Sequence, residues 1–218
     1  MTEPIPAHLV FSPITRAAVG SSLLAALLFC QTVAAQVPSP TPLKKQKPAS
    51  ELLKKQTPPK TIPKVLEQST PENTRVHISI PKQRAYLIVG EEIGIDTPIS
   101  SGKRAGMTPQ GNFVVVQKDA DHRSSLYGDF VNKKGQVVRG GVSTKIDSAP
   151  SGTTYRGASM RWFMRFGDPV SKSPRPEGMH TGILPGYPAS HGCVRLPDDI
   201  ARMIFEKVVV GTSVSIGD

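Results

Sequence analysis

A cysteine at position 193 lies close in sequence to two histidines. His191 precedes Cys193 by two residues and His180 by thirteen. A cysteine acts as a nucleophile when an imidazole within hydrogen-bonding distance accepts or balances its proton. Residues two apart in an extended segment point to the same side, so His191 is one candidate base, and His180 is another if a facing strand or loop presents it. The pattern indicates nucleophilic cysteine chemistry.

Two neighbours of Cys193 suit acyl transfer. Gly192 has no Cβ, so the backbone at Gly192 and Cys193 can approach a substrate closely and direct its amides at a developing oxyanion. Arg195 carries a guanidinium group, which binds carboxylates through two parallel hydrogen bonds. Away from this motif, Arg195 would be interpreted as a solvated strand residue.

The same residues have other chemical uses. His180, His191 and Cys193 could supply the three protein ligands of a catalytic zinc ion, but their spacing matches no common zinc motif. A papain-like amidase has its cysteine near the N-terminus and its histidine later, which is the reverse of the order here. We therefore predict no metal and no other cofactor.

Cys30 belongs to a different part of the chain. It follows an apolar run over residues 17–29, and residues 32–35, Thr-Val-Ala-Ala, place small residues at the two positions that a signal peptidase reads. This arrangement resembles a secretory signal peptide over residues 1–35, cleaved after Ala35. An uncleaved membrane anchor and bacterial lipidation of Cys30 are the alternatives. Export would leave Cys193 as the single cysteine and place the protein in the periplasm or cell envelope of a bacterium, with membrane association only if the segment is uncleaved.

Composition and charge divide the rest of the chain. The 218 residues include 27 Lys and Arg against 17 Asp and Glu, a net charge of +10. Residues 36–72 contain eight prolines, seven lysines and no aromatic residue, so we predict a disordered linker that cannot bury enough apolar surface to fold. Basic residues of the remainder, 73–218, are scattered rather than clustered with aromatics, which predicts no nucleic-acid partner.

Residues 73–218 are predicted to be mainly β. Apolar and polar residues alternate over residues 74–80, and a short turn leads into residues 84–89, which predicts a hairpin. Further strands are predicted over residues 92–100, 112–117, 136–139, 161–166 and 212–216. One helix is predicted, beginning at Pro197 and ending before Gly211.

A stretch rich in Gly, Ser and Pro covers residues 119–178. Long irregular segments inside a compact domain are commonly binding loops or lids, and we interpret this stretch as one. A variable surface excursion without a role is the alternative.

Seven consecutive residues around the cysteine resemble a family signature. Residues 190–196, Ser-His-Gly-Cys-Val-Arg-Leu, with His180 upstream, are similar to the motif of the L,D-transpeptidase catalytic domain of the YkuD type. Residues 100–102 (Ser-Ser-Gly) and 108–113 (Thr-Pro-Gln-Gly-Asn-Phe) resemble two further elements of that family. The resemblance covers about residues 73–218.

This resemblance implies a mainly β, sandwich-like fold with one short helix after the motif, and a cysteine acyl-transfer mechanism. It makes Cys193 the nucleophile and His180 the general base, with the carbonyl of Thr181 orienting the imidazole. The remaining implied positions are the oxyanion and pocket residues Ser190, His191 and Gly192, with Arg195 beside the substrate carboxylate. Tyr187 and Met179 are further candidates for substrate binding, although Tyr187, next to two prolines, could instead stiffen its loop.

The resemblance also implies a substrate, the peptidoglycan stem peptide. Cys193 would attack the carbonyl between diaminopimelate and the terminal D-alanine of a tetrapeptide stem and release D-alanine. An amine of a neighbouring stem, or of an envelope lipoprotein, would then accept the acyl group, whereas water as acceptor would make the enzyme an L,D-carboxypeptidase. A non-catalytic peptidoglycan-binding module is the alternative of another class, although binding alone needs neither Cys193 nor His180.

Overall fold

The computed structural model describes residues 56–218 and shows a mainly β domain there. The predicted signal peptide, residues 1–35, and the first part of the predicted linker, residues 36–55, lie outside the described residues. No helix within residues 56–218 combines the length and the apolar character that crossing a membrane requires.

A curled nine-stranded sheet makes up most of the domain. In spatial order its strands are β1 (Lys60–Thr61), β4 (Glu92–Pro98), β3 (Arg84–Val89), β2 (Thr74–Ser79), β12 (Ser213–Gly217), β5 (Gly111–Asp119), β9 (Phe163–Gly167), β10 (Pro174–Thr181) and β11 (Val194–Leu196). Neighbouring strands are antiparallel except for the pairs β2–β12 and β10–β11, which are parallel. The parallel pair β10–β11 forms one edge of the sheet.

A second sheet of three strands is formed by the middle of the chain. Its strands are β6 (Arg123–Val131), β7 (Val137–Ser143) and β8 (Thr154–Ser159), with β6 in the centre. The segment over residues 119–178, predicted to be an irregular loop, therefore contributes strands to both sheets. The prediction of an irregular loop was wrong because Ser and Arg side chains occupy exposed positions in these strands and glycines occupy buried ones, Gly128 and Gly157. This composition obscures the apolar alternation that marks a half-buried strand.

Two helices pack on the large sheet. Helix α2 (Asp198–Lys207) follows β11 directly and buries Ile200, Ala201 and Ile204 in the core. Pro197 caps its N-terminus and two aspartates fill its first turn, where the helix dipole favours negative charge. This confirms the predicted helix after the cysteine motif.

The short helix α1 (Pro63–Leu66) and β1 correct the linker prediction. Residues 60–66 are ordered, because Val65 and Leu66 are buried at 7% and 9% exposure despite the Pro- and Lys-rich surroundings. Gly94 in β4 makes room for this contact, since a Cβ there would lie 2.6 Å from Leu66 Cδ2. A few apolar side chains thus suffice to dock the end of the segment against the sheet.

The predicted opening hairpin is confirmed. Strands β2 and β3 pair in antiparallel register from Thr74 opposite Val89 to Ser79 opposite Arg84. Side chains on the inner face of this hairpin, of the neighbouring strands and of α2 form one apolar core, with residues such as Ile78, Leu87, Val115, Phe166 and Leu196 fully or nearly fully buried. This core fixes the strand pair β10–β11, which carries or leads from the candidate catalytic residues.

Candidate active site

The parallel pairing of β10 with β11 brings Cys193 and His180 to the same edge of the sheet. Met179 lies opposite Val194 and His180 opposite Arg195. Neighbouring residues in paired strands share a face, and side chains alternate along each strand. Cys193, two residues before Arg195, therefore belongs to the face that carries His180.

The sulfur of Cys193 is held at the end of β11. The backbone N–H of Gly178, the residue before Met179 in β10, lies near enough to the sulfur to favour its thiolate form. Burial raises the pKa of the thiol above its ordinary value, and the carboxylate of Glu177 raises it further. The Gly178 N–H and the guanidinium groups of Arg165 and Arg195 act in the opposite direction. The free protein therefore holds Cys193 as a neutral thiol.

The imidazole of His180 is buried and neutral. Its Nδ1 donates a hydrogen bond to the carbonyl oxygen of Thr181 at 2.6 Å, so Nε2 is the nitrogen that can accept a proton. Burial lowers the pKa of His180 to about 4. The Thr181 hydrogen bond opposes this shift, and smaller effects of Arg195 and His122 add to it. Within the described residues, the structure shows no direct hydrogen bond between His180 and Cys193.

Thr181 is itself fixed by two further contacts. Its N–H donates to the carbonyl oxygen of Arg161 at 3.0 Å, and its hydroxyl donates to Asp198 at 2.9 Å. The guanidinium of Arg161 also binds Asp198, which lowers the pKa of that carboxyl group. The first turn of α2 is thus connected to the carbonyl group that orients His180.

The loop that leads into β11, residues 190–193 (the cysteine loop), is held in place by hydrogen bonds of Thr108. The N–H of Gly102 donates to Thr108 Oγ1 at 2.8 Å, and that hydroxyl donates to the carbonyl oxygen of Gly192 at 2.7 Å. Gly192 has a φ of 139° and a Cβ there would lie 3.0 Å from the carbonyl oxygen of Met107. The two segments that resemble the family's further elements, residues 100–102 and 108–113, therefore serve to position the cysteine loop.

One of the two amides predicted to stabilise an oxyanion is already occupied. The N–H of Gly192 donates to Ser190 Oγ at 3.1 Å, and Ser190 is buried at 2% exposure. Ser190 is also held by a backbone hydrogen bond to Ser101 at 3.0 Å. The amide of Cys193 is therefore the donor that remains from the predicted pair, while Ser190 and Gly192 shape the loop.

The contacts of His191 do not favour its acting as the general base. Its Nε2 lies 3.1 Å from Lys103 Nζ, and its ring stacks on Tyr127 with 4.3 Å between ring centroids. Burial and the ammonium group of Lys103 lower the pKa of His191, and Arg195 adds to this effect. Tyr127, on β6, was not predicted as a site residue, and its contact connects the three-stranded sheet to the cysteine loop.

The three predicted substrate-binding residues have different surroundings. Arg195 is half-buried, and within the described residues no carboxylate forms a salt bridge with it. Tyr187 is 39% exposed, and its carbonyl oxygen accepts a hydrogen bond from Ser100 at 2.8 Å. Met179 is fully buried in the apolar core. The substrate contact predicted for Met179 is wrong, because strand alternation turns its side chain inward when His180 faces the cleft.

Two rings, those of Phe163 and His122, pack one after the other next to the imidazole of His180. Phe163 lies 6.3 Å from His180 between ring centroids, and His122 stacks on Phe163 at 4.3 Å. His122 also forms a hydrogen bond with Asp119 at 3.0 Å. No local motif in the sequence connects His122 with His180.

The three residues considered from the sequence as zinc ligands, His180, His191 and Cys193, do not converge on one site. Among residues 56–218, no group of three His, Cys, Asp or Glu side chains converges as metal ligands. His191 instead contacts Lys103 and Tyr127, as described above.

Residues 73–216 match the model of the YkuD family, the L,D-transpeptidase catalytic domain. Since this match covers more than half of the chain, the protein belongs to the L,D-transpeptidase catalytic-domain family. No curated protein matches the sequence.

The solved structures to which part of this chain is similar include L,D-transpeptidases from three bacteria. The enzyme from Stackebrandtia nassauensis is 17% identical, with 68% of this chain and 57% of that chain covered and a TM-score of 0.45. The enzyme from Mycobacterium smegmatis is 18% identical, with 66% and 58% covered and a TM-score of 0.45. The enzyme from Xylanimonas cellulosilytica is 21% identical, with 66% and 60% covered and a TM-score of 0.44. The chain thus spans less than two-thirds of each of these structures.

Proposed function

We propose that this protein is a peptidoglycan L,D-transpeptidase in which Cys193 is acylated by a tetrapeptide stem. The observation that supports this most strongly is the shared face of β10 and β11. There the thiol of Cys193, the neutral imidazole of His180 and the guanidinium of Arg195 lie together, and the amide of Gly178 contacts the sulfur.

In the first half-reaction, the thiol and imidazole both begin neutral. With the pKa of His180 at about 4 and that of Cys193 raised, proton transfer before substrate binding is unfavourable. His180 Nε2 therefore accepts the thiol proton as Sγ attacks the carbonyl carbon between diaminopimelate and D-alanine. The carbonyl of Thr181 stabilises the imidazolium that forms.

The tetrahedral intermediate then collapses to a thioester. The amide of Cys193 donates to the oxyanion while it exists. The bond between the carbonyl carbon and the D-alanine nitrogen breaks, and His180 returns its proton to that nitrogen. D-alanine leaves as an amine, and the diaminopimelate acyl group stays on Cys193.

In the second half-reaction, an amine attacks the thioester and the acyl group leaves the enzyme. An amine of a neighbouring stem gives a cross-link between two diaminopimelates, and an amine of an envelope lipoprotein attaches that protein to the wall. Water gives the carboxypeptidase reaction instead. Export to the periplasm or cell envelope, predicted from residues 1–35, belongs to the same proposal because the substrate is found there.

Arg195 is proposed to bind a carboxylate of the donor stem. Its guanidinium is half-buried and without a carboxylate partner among the described residues, and its aliphatic part packs on Gly182. A cation in such surroundings gains more from an anionic ligand than a fully solvated one does.

The test is to incubate the full chain with disaccharide tetrapeptide and to follow the enzyme and the products by mass spectrometry. We expect a covalent adduct on Cys193, release of D-alanine, and neither in Cys193→Ala. His180→Ala should bind the stem but lose acylation, by about a hundredfold to ten-thousandfold. Binding without adduct or D-alanine release in the wild type would instead support the non-catalytic module.

A further inference from the structure

Glu177 places a carboxylate beside the nucleophile. It immediately precedes Gly178, whose amide contacts the Cys193 sulfur. Its side chain is 18% exposed, and its Cγ lies 3.2 Å from the position that a Cβ on Gly192 would occupy. The carboxylate therefore lies against the cysteine loop in a partly desolvated position.

This carboxylate opposes the first half-reaction. A negative charge near a thiol raises the thiol pKa and disfavours thiolate formation, and Glu177 has this effect on Cys193. A further positive charge next to the sulfur offsets this effect of Glu177. An acceptor amine, which is an ammonium ion at neutral pH, brings such a charge to the acyl-enzyme.

Arg175 completes a pair of opposite charges. Its Nε donates to the carboxylate of Glu177 at 3.1 Å, and its side chain is 43% exposed. The guanidinium lies over the ring of Phe113 at 5.6 Å, and its backbone carbonyl accepts a hydrogen bond from Arg165 at 3.0 Å. Arg175 also borders a cavity of about 300 Å³. Such a pair presents an anion and a cation side by side to a ligand.

Along the strands, the pair and Arg195 lie toward opposite ends of the site. β10 and β11 run in the same direction, with Cys193 next to Gly178. His180 and Arg195 come after these two residues along the strands, and Glu177 comes before them. The Glu177–Arg175 pair therefore borders the site near Gly192, and the proposed donor-binding residues border it at the other end.

We propose that Glu177 and Arg175 form the acceptor subsite, which takes a zwitterionic amino-acid group: Glu177 binds its ammonium and Arg175 its carboxylate. This inference rests on the proposed function. The bound ammonium releases one proton to solvent, and the resulting amine attacks the thioester carbonyl carbon. A second proton passes from the nitrogen to His180, the C–S bond breaks as the amide is completed, and His180 protonates the departing thiolate.

The experiment measures the two half-reactions separately. The full-length enzyme is first acylated with disaccharide tetrapeptide without acceptor and followed by intact-protein mass spectrometry. D-Leucine, or its carboxamide D-leucinamide, is then added, and KM for each acceptor is determined from the amide product. The variants are Glu177→Gln and Arg175→Gln. Glu91→Gln is the matched control, because Glu91 forms an exposed pair with Arg75 outside the site.

Glu177→Gln should raise KM for both acceptors about tenfold, the typical effect of losing a hydrogen bond to a charged group. The same variant should acylate faster than the wild type, since the charge that opposes thiolate formation is gone; a purely structural role would slow both steps. Arg175→Gln should raise KM for D-leucine alone and thereby abolish the preference over D-leucinamide. Glu91→Gln should change neither.

Two results would overturn the subsite while leaving the proposed function intact: unchanged acceptor KM in Glu177→Gln, or a preference for D-leucine retained in Arg175→Gln. If Glu177→Gln does not fold, the preference measured in Arg175→Gln decides alone. A wild-type enzyme that is never acylated would overturn the proposed function itself.

Discussion

The Nδ1–H of His180 donates to the carbonyl oxygen of Thr181 at 2.6 Å, and the Thr181 hydroxyl donates to Asp198 at 2.9 Å. The orientation of the imidazole on β10 is therefore set by a residue of α2, which follows the cysteine motif in the chain. One short segment, from Cys193 to Asp198, carries both the nucleophile and the group that orients the base through Thr181.

Burial of a neutral His180 makes the fold sensitive to acid. The ordinary histidine pKa is 6.5 and that of His180 is about 4, so between these values the unfolded chain binds a proton that the folded chain does not. The contribution of His180 to the free energy of unfolding is therefore fully present above pH 6.5 and falls by about 3 kcal/mol as the pH drops to 4. Denaturant unfolding across this range should show the loss in the wild type and in Cys193→Ala, but a smaller loss in His180→Gln. An equal loss in all three would contradict the assignment.

The same pKa determines how acylation responds to pH. His180 can accept the thiol proton only while Nε2 is unprotonated, which holds at all pH values well above about 4. We expect the rate constant for acylation by disaccharide tetrapeptide, measured by stopped-time mass spectrometry, to stay level from pH 7 to about pH 5 and to fall below that. A fall centred near pH 6.5 would mean that the base is not the buried imidazole of His180.

The sequence predicts the parts of the fold whose patterns are local. The alternation over residues 74–80 and the turn before residues 84–89 define the β2–β3 hairpin, and the aspartates after Pro197 define the start of α2. Docking of α1 was not predictable in this way, because it depends on Leu66 meeting Gly94, and nothing near residue 66 signals that contact.

In the candidate site, the sequence motif marks some of the residues, whereas others reach the site only through the three-dimensional fold. The motif over residues 190–196 marks Cys193 and Arg195, and His180 follows from the resemblance. Glu177 and Tyr127 were not predicted as site residues, since strand register and the packing of the second sheet bring them to the cysteine loop. Met179 was misassigned because nearness in sequence to His180 does not reveal the face on which a strand residue lies.

Loss of the Thr108 hydroxyl should loosen the cysteine loop. Thr108→Val keeps the side-chain shape but leaves the N–H of Gly102 and the carbonyl of Gly192 without their shared partner. We expect a loss of about 1–3 kcal/mol in unfolding free energy together with slower acylation. Thr144→Val is the matched control, because its hydroxyl bonds Ser125 at an exposed position, and it should stay within about 0.5 kcal/mol of wild type. A loss of unfolding free energy without any change in the acylation rate would show that Thr108 does not position the cysteine loop for catalysis.

Gly178 has no room for a side chain, and this determines the position of the amide that contacts Cys193. A Cβ at residue 178 would lie 2.4 Å from the carbonyl oxygen of Met164 and 2.6 Å from the ring of Phe163. Gly178→Ala should therefore displace β10, lower the unfolding free energy by about 1–3 kcal/mol and slow acylation by moving its amide away from the sulfur. Gly217→Ala is the control, because it is also a strand glycine and its Cβ would meet nothing within 4 Å. Equal thermal stability and equal acylation rates in the two variants would show that β10 can shift without disturbing the nucleophile.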